Sequence, residues 1–569
     1  MNKILFTLST TLKVFLTGIL VIGGIHLPSV YPQTILEEVD VQGNYVPKLK
    51  PRNKLMDRPT LQDTFRITLK PEYELNAPLL NIPFTPDSIQ PQRFKQAPMP
   101  KGQRFLVKLG FGNYLTPFAE ASAGSLRHKR HQYDLGYRYT AAGGRIRDRG
   151  RPGLATHDAY VRWNHRTEAG YGFFADARFQ SDRVHYYGFR LTDYPHLNPP
   201  DYRQTYHHLN LQVGFESSAP SDSQKFQLAP RLQYAFTADR FGTAENALFG
   251  HVTGRKALRQ VLLSATLQGG FYHNSARNQA GVASGWVGIN PAVDMRYKRL
   301  QMRVGAIGYL TSQPSGVQLH AVPDVRIQVP AVDRYFVLYA QAGGSVYRSS
   351  LDHLRRLNPF LLTNPRLDFT RHQLAAAAGM HGEATPFIQW DVGARFDAYQ
   401  NMAFFINTWD SLSPIPPHAG FEALYGRLSR TTLQAQAQFN MREQYRASLQ
   451  AEYYIFHQRN PFFPDYTVPY HPIFRITARA SVQILPPLTV MAHVFYIHAQ
   501  TGFLRAPDGS LLPQRLRGTA DINLSAEYRF NDLLSFWAGL HNIAAFAYNR
   551  WYGYPTQGFN VLGGIMFRF

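Results

Sequence analysis

The segment TADINLSAEYRF, residues 519–530, alternates apolar and polar side chains from its second residue to its last. The apolar positions are Ala520, Ile522, Leu524, Ala526, Tyr528 and Phe530. The polar positions between them are Asp521, Asn523, Ser525, Glu527 and Arg529. A period of two over this length predicts a β-strand with one apolar and one polar face.

The same alternation recurs along the chain, for example in GFFADARFQ at 172–180 and HLNLQVGFE at 208–216. We count about 22 such segments between residue 103 and residue 569. An even number of strands of about 10 residues is typical of a transmembrane β-barrel. The predicted fold class is therefore all-β, a transmembrane antiparallel β-barrel of about 22 strands over residues 103–569.

The connections between these segments separate a membrane barrel from a soluble β-sandwich or propeller, which would also alternate. Every second connection is short, such as RTEAG at 166–170 and LPP at 485–487. The connections between the short ones, at the opposite end of the predicted strands, include the long ones: 183–203, 350–369, 401–426, 458–472, 500–517 and 546–557. Short periplasmic turns and long outer loops are characteristic of outer-membrane barrels, so we expect the chain in the bacterial outer membrane.

The C-terminal segment FNVLGGIMFRF, residues 559–569, is an apolar strand that ends on an aromatic residue. An exposed apolar strand edge would promote aggregation. In a closed barrel the last strand pairs with the first, so we expect this segment to pair with residues 104–111.

The N-terminal region differs from the rest. Residues 1–33 combine Lys3 and Lys13 with an apolar run that ends at Pro28, which predicts a signal peptide; an uncleaved anchor helix is the alternative. Residues 34–102 are rich in proline, which disfavours helices and central strands. We interpret them as a periplasmic segment, either a reduced plug or a segment that docks to a partner.

Composition excludes several kinds of site. The chain has no cysteine, so disulfides and thiolate metal sites are ruled out. No phosphate-binding, zinc-protease or nucleophile-elbow motif occurs in a suitable context, so we predict no enzyme activity, cofactor or metal. An outer-membrane hydrolase remains the enzymatic alternative. The formal net charge of +22 would suit nucleic acid, but export argues against that partner.

The last fifty residues, from ADINLSAEYRF through HNI and YNRWYGYP to FNVLGGIMFRF, resemble the end of a TonB-dependent receptor barrel. The stretch EEVDVQGN at 37–44 resembles the point at which such receptors enter their plug domain. The resemblance implies a 22-strand barrel and transport of a solute. It hardly extends to the plug, because residues 45–102 are too few to form a full plug domain.

Charged and aromatic side chains supply the candidate site residues. We predict that six charged residues face the lumen: Arg104, Lys108, Arg138, Arg162, Asp176 and Arg178. We also predict contacts from the outer loops: Arg145, Arg147, Arg149, Arg151, Tyr186 and Tyr187. An excess of arginine would attract anions. Alternatively, the lumen charges only keep the wall polar, the loop arginines meet lipopolysaccharide phosphates, and the tyrosines form an aromatic girdle.

Two functions follow from these patterns. The first is transport or uptake of a solute, which the arginines suggest is anionic. The second is a non-transporting subunit of an outer-membrane assembly, with a periplasmic or outer-membrane protein partner bound through residues 34–102. Outer-membrane lipid and lipopolysaccharide are expected partners in both.

Overall fold

A computed structural model describes residues 104–125, 130–217, 226–259, 261–277, 279–408, 415–442, 444–457, 462–464 and 466–569. The description below concerns the unit Gln96–Phe569, one of two into which the chain divides. The predicted signal peptide (1–33) and proline-rich segment (34–102) lie outside the described residues, as does position 103.

The described chain is built from β-strands that are long, antiparallel and consecutive. In chain order they are β1 (Phe105–Gly112), β2 (Phe118–Gly124), β3 (His131–Ala142), β4 (Leu154–Arg166), β5 (Tyr171–His185), β6 (Arg203–Ser217), β7 (Gln227–Asp239), β8 (Ala244–Leu258), β9 (Val261–Ala276), β10 (Gln279–Tyr297), β11 (Leu300–Gln313), β12 (Gly316–Val332), β13 (Phe336–Arg348), β14 (Phe369–Thr385), β15 (Ile388–Thr408), β16 (Gly420–Met441), β17 (Tyr445–Phe456), β18 (Phe474–Leu485), β19 (Leu488–Ile497), β20 (Gln500–Arg505), β21 (Leu511–Leu516), β22 (Thr519–Arg529), β23 (Leu534–His541), β24 (Asn549–Trp551), β25 (Tyr554–Pro555) and β26 (Asn560–Arg568).

The barrel closes between its first and last strands. β1 pairs with β26 in antiparallel register, with Val107 opposite Phe567 and Leu109 opposite Ile565. β20 and β21 form a hairpin in one outer loop, and β24 and β25 form a ribbon in another. The remaining strands, β1–β19 with β22, β23 and β26, form the wall. The predicted barrel of 22 strands and the pairing of the C-terminal strand with the first strand are confirmed.

The prediction of a long loop at 401–426 is largely wrong. β15 continues to Thr408 and β16 begins at Gly420, and these two residues pair at the top of a tall hairpin. The register shifts between Tyr399 and Met402, where Asn401 has a φ of 56°. A bulge inserts one extra residue and so reverses the alternation, which is why the period of two seemed to end there.

The described residues contain one α-helix, α1 (Leu351–Leu357), and a 3-10 turn at Leu191–Asp193. Neither is long and apolar enough to cross a membrane.

α1 identifies the inner face of the wall. It connects β13 to β14, yet it contacts Asp182 on β5 and His208 on β6. It reaches those strands through the interior of the barrel, so Asp182 and His208 point inward. Residues at a spacing of two share a face, and the opposite positions carry large exposed apolar side chains: Leu135, Val161, Leu211, Val213, Leu267 and Val287.

Arginine substitutions on the two faces of β6 test this assignment. Leu211 faces outward with 40% of its surface exposed, and its neighbour Gln212 faces inward. An arginine on the lipid face near the bilayer midplane costs about 2–4 kcal/mol. Leu211→Arg should therefore lower the yield of heat-modifiable, folded barrel in membranes, whereas Gln212→Arg, the matched control, should fold as the wild type does. Equal yields would show that the faces are reversed.

Candidate functional site

One side of the inner wall, formed by β2–β5, carries a ladder of ion pairs. Alternate residues of each strand point inward, so charges on neighbouring strands come into direct contact. The pairs are Arg138 with Glu120 (2.8 Å), Arg162 with Asp176 (3.1 Å) and Arg178 with Asp158 (2.8 Å). Each arginine of this ladder has a carboxylate partner, so the ladder carries little unbalanced positive charge. Each pair is also partly exposed, and such pairs contribute at most about 1 kcal/mol.

Lys108 and Arg104 form none of the ion pairs of this ladder, although Lys108 is the direct cross-strand neighbour of Glu120. Lys108 lies over the ring of Trp537, with Nζ 4.1 Å from the ring centroid, next to the closing seam. The backbone N–H of Arg104 donates to the carbonyl of Phe569 at 2.9 Å, and its side chain is exposed. The structure therefore brings Arg138, Arg162, Asp176 and Arg178 together and leaves the other two predicted residues outside the ladder. The proposed role of the six in attracting anions stays a prediction.

Inward-folded loops at the outer end of the barrel pack into one layer, here called the cap. It consists of the segment 349–368 with α1, the loop 186–202 and the ribbon β24–β25. α1 is attached to the wall through Arg355, whose side chain is only 3% exposed. Nη1 of Arg355 donates to Asp182 at 2.6 Å, and Nη2 lies 2.6 Å from the carboxylate of Asp352. Asp352 also lies 3.4 Å from His208 on β6.

The start of α1 has its own anchor. The side chain of Ser350 accepts a hydrogen bond from the backbone N–H of His353, which is a standard N-cap. Glu245 on β8 accepts from the N–H of Leu351 at 3.0 Å, and a carboxylate is favourable at the positive end of a helix. Arg348, buried beside Glu245, donates to Asn274 at 2.6 Å.

Aromatic side chains fill the space above α1. The hydroxyl groups of Tyr186 and Tyr206 both donate to the carbonyl of Leu361, at 2.6 and 3.1 Å. Tyr554 stacks on Phe360 with ring centroids 3.9 Å apart. These side chains are buried or half-buried, so the cap is a packed apolar layer that is fastened to the wall by ion pairs.

The structure separates the predicted outer-loop contacts into three groups. Arg147 is almost fully exposed and faces Asp148 at 3.7 Å, and Arg145 and Arg151 are also exposed. Arg149 donates to the carbonyl of Gly188 at 3.3 Å and so braces the neighbouring loop. Tyr186 is completely buried, and it contributes to packing of the cap.

A cavity of about 510 Å³ lies between the cap and the wall, and Tyr187 lines it. Arg355, Arg356 and Arg550 contribute three guanidinium groups, and Asp182 is the facing carboxylate. Arg550 has no carboxylate partner within the described ranges. Burial raises the pKa of Tyr187 to about 12, and its neutral hydroxyl group donates to the carbonyl of Pro555 at 3.1 Å. The cavity therefore offers cationic guanidinium donors to a ligand. Within the described ranges, no three His, Asp or Glu side chains are grouped as metal ligands.

Two titratable groups, one in the cap and one in the neighbouring loop 466–473, are held in single protonation states. Burial raises the pKa of Asp352, but Arg355, His208 and Arg356 together outweigh it, and the pKa lies below its usual range. Burial lowers the pKa of His471 to about 4, although Nδ1 donates to the carbonyl of Pro469 at 2.8 Å. At neutral pH the cap therefore contains an ionised Asp352, and the neighbouring loop contains a neutral His471.

Sequence patterns did not reveal Arg355, Glu245 or Arg550 as site residues. All three meet partners from distant strands or loops, and no local spacing marks them. The short helical run SLDHLRRL at 350–357, with a serine cap and an aspartate before two arginines, was the available signal.

Comparisons with known proteins bear on the fold. No family model matches the chain, and no curated protein does. Solved structures do match. The siderophore receptor PirA from Acinetobacter baumannii is 9% identical with a TM-score of 0.61, over 83% of this chain and 81% of that one. The FrpB iron transporter from Neisseria meningitidis is 10% identical with a TM-score of 0.63, over 83% and 82%.

The pyoverdine receptor FpvA from Pseudomonas aeruginosa PAO1, bound to pyoverdine, is 11% identical with a TM-score of 0.59, over 83% of this chain and 79% of that one. The predicted resemblance to TonB-dependent receptors is confirmed as a likeness of fold. The chain is an outer-membrane β-barrel: its wall closes on itself and its outward face is apolar.

Arg355→Leu should release the cap. It would leave the carboxylates of Asp182 and Asp352 half-desolvated without their shared cation, and breaking a buried pair costs about 3–5 kcal/mol. Limited proteolysis of intact cells should then cleave within residues 349–368. Arg366→Leu is the control on the same segment, because Arg366 is 70% exposed beside Asp368. Equal resistance of the wild type and Arg355→Leu would argue against this anchor.

Acid should loosen the loop that contains His471. The imidazole has a pKa of about 4 when packed and 6.5 when exposed, so the packed state is fully stable above pH 6.5 and loses stability as the pH falls towards 4. The protection factors of residues 466–473, which correct for the slower intrinsic amide exchange in acid, should fall over that range. His471→Asn keeps a donor for Pro469 and should abolish this fall, whereas His196→Asn, at an exposed position, should leave the fall unchanged. Protection factors that stay constant between pH 7.5 and 5 in the wild type would contradict this.

Proposed function

We propose that this barrel takes up an anionic solute across the outer membrane, with the cap as its gate. The observation that carries the proposal is the cavity of about 510 Å³ between the cap and the wall, lined by Arg355, Arg356 and Arg550. An open pore would need no cap. A purely structural barrel would need no partly open cavity with an unpaired guanidinium group.

The way in which the cap is held supports gating. Its apolar layer is fastened to the wall by buried ion pairs, and such pairs contribute little net stability while they are costly to break one partner at a time. A ligand that pairs with the guanidinium groups can compete with Asp182 and Asp352 for Arg355. Binding would then weaken the attachment of α1 to the wall, which couples occupancy of the cavity to opening.

The roles of the structural neighbours support the same class of function. PirA is a siderophore receptor, FrpB is an iron transporter, and FpvA is an outer-membrane receptor bound to pyoverdine. A shared fold alone does not transfer their ligands to this chain. What it adds is that barrels of this architecture serve as receptors and transporters in the outer membrane.

Lipid and lipopolysaccharide are the proposed surroundings. The apolar outward face suits acyl chains, and exposed arginines such as Arg147 at the outer end suit the phosphates of lipopolysaccharide. The alternative role as an assembly subunit depends on residues 34–102, which lie outside the described residues, and it stays a prediction.

Planar-bilayer recordings of the full chain test the proposal. The wild type should conduct little because the cap closes the mouth. Arg355→Leu should open it and give larger currents that favour chloride over potassium in a salt gradient, and Arg366→Leu should behave as the wild type does. A released cap without an increase in current, or a current that favours potassium, would refute uptake of anions through the lumen.

A further inference from the structure

A second polar surface lies on the inner wall across the closing seam from the ion-pair ladder, with β26 and β1 between them. It crosses β16, β17, β18, β19, β22 and β23 at a single level, because the residues are direct cross-strand neighbours. Between β22 and β23, Nδ1 of His541 and Oδ1 of Asn523 form a hydrogen bond of 3.3 Å. In strand order the row is Gln438, Ser448, Arg479, His493, Asn523 and His541.

A second row runs directly beneath the first. It includes Arg446 on β17, Ser481 on β18 and Ser525 on β22. Arg446 is the cross-strand neighbour of Ser481, which is two residues from Arg479 on the same strand. Arg446 and Arg479 are therefore diagonal neighbours on adjacent strands, and residues in this relation lie about 7–8 Å apart. Together the rows border a groove of about 760 Å³.

The charge pattern of this groove is the reverse of the ladder. On β2–β5 each inward arginine of the ladder meets an aspartate or glutamate. No Asp or Glu among the described residues lines the groove, and neither Arg446 nor Arg479 has an ion-pair partner in that part of the chain. The remaining polar groups are amides, hydroxyls and imidazoles, and the amides and hydroxyls can both donate and accept hydrogen bonds.

We propose that this groove binds an acidic saccharide, an extended chain of sugars that bear carboxylates. The two arginines would each hold a carboxylate through charge-assisted hydrogen bonds, which a planar guanidinium makes in bidentate form. The amides and hydroxyls of Gln438, Asn523 and Ser525 match sugar hydroxyls, because both partners donate and accept. Five inter-strand spacings make the upper row about 24 Å long, so the ligand is elongated.

This inference deepens the proposed function and depends on it only for the route into the lumen. The cavity under the cap would receive the anion first, and the groove would hold it within the barrel. Equilibrium binding to the groove can be measured on the detergent-solubilised barrel without a transport step. Binding and conductance can therefore fail independently.

Calorimetry with the purified full chain tests the groove with three probes. The galacturonic acid tetramer combines hydroxyls with carboxylates. Cellotetraose has the hydroxyls alone, and tetraglutamate has the carboxylates alone. We expect the uronate tetramer to bind at least about tenfold more tightly than either of the others, since it uses both kinds of contact.

Arg446→Gln combined with Arg479→Gln should weaken uronate binding about tenfold or more. Arg326→Gln is the matched control, because Arg326 is an exposed inward arginine on β12 that lies outside the groove. Ser481→Asp places a carboxylate beside both arginines without removing either, and it should weaken binding even where the double variant folds poorly. Equal binding of all three probes, equal binding by the double variant, or an equal loss in Arg326→Gln would overturn the proposal.

Discussion

The hydrogen bonds that join the two ends of the described chain close the barrel. The N–H of Phe105 donates to the carbonyl of Phe569 at 2.7 Å, and the N–H of Phe569 donates back at 3.0 Å. Lipid offers no partner for a free backbone group, so a spanning sheet must pair its last strand with its first. Register follows from this closure: once β26 pairs with β1, the apolar face of each strand is turned outward and the polar face inward.

Closure creates a lumen, and the lumen allows charged side chains to act at close range. Arg355 and Arg348 are buried among carboxylates and amides from strands that are far apart in sequence. Buried ion pairs of this kind contribute little net stability, yet they are costly to break. That combination suits a cap that is closed by default and opens as a unit. In the ladder of β2–β5 the arginines and carboxylates are partly exposed, and their pairing only neutralises the charge of the wall.

The sequence predicted the strands well and the site poorly. The alternation in 519–530 and the apolar strand at 559–569 led to the barrel, its strand number and its closure, because a period of two is local. The extra residue at Asn401 hid the upper part of the β15–β16 hairpin. Tyr186 was predicted as an outer-loop contact, and its burial depends on Leu361, which is 175 residues away along the chain.

Local pattern by itself therefore determined the fold class, the two faces of each strand and the outer position of the long connections. Only the tertiary structure decided which charges meet. The ladder on β2–β5, the attachment of α1 through Arg355 and the carboxylate-free groove around Arg446 and Arg479 all depend on strand register and on inward-folded loops. The physical reason is range: alternation is set by neighbours two residues apart, whereas a salt bridge depends on distances that only the closed barrel defines.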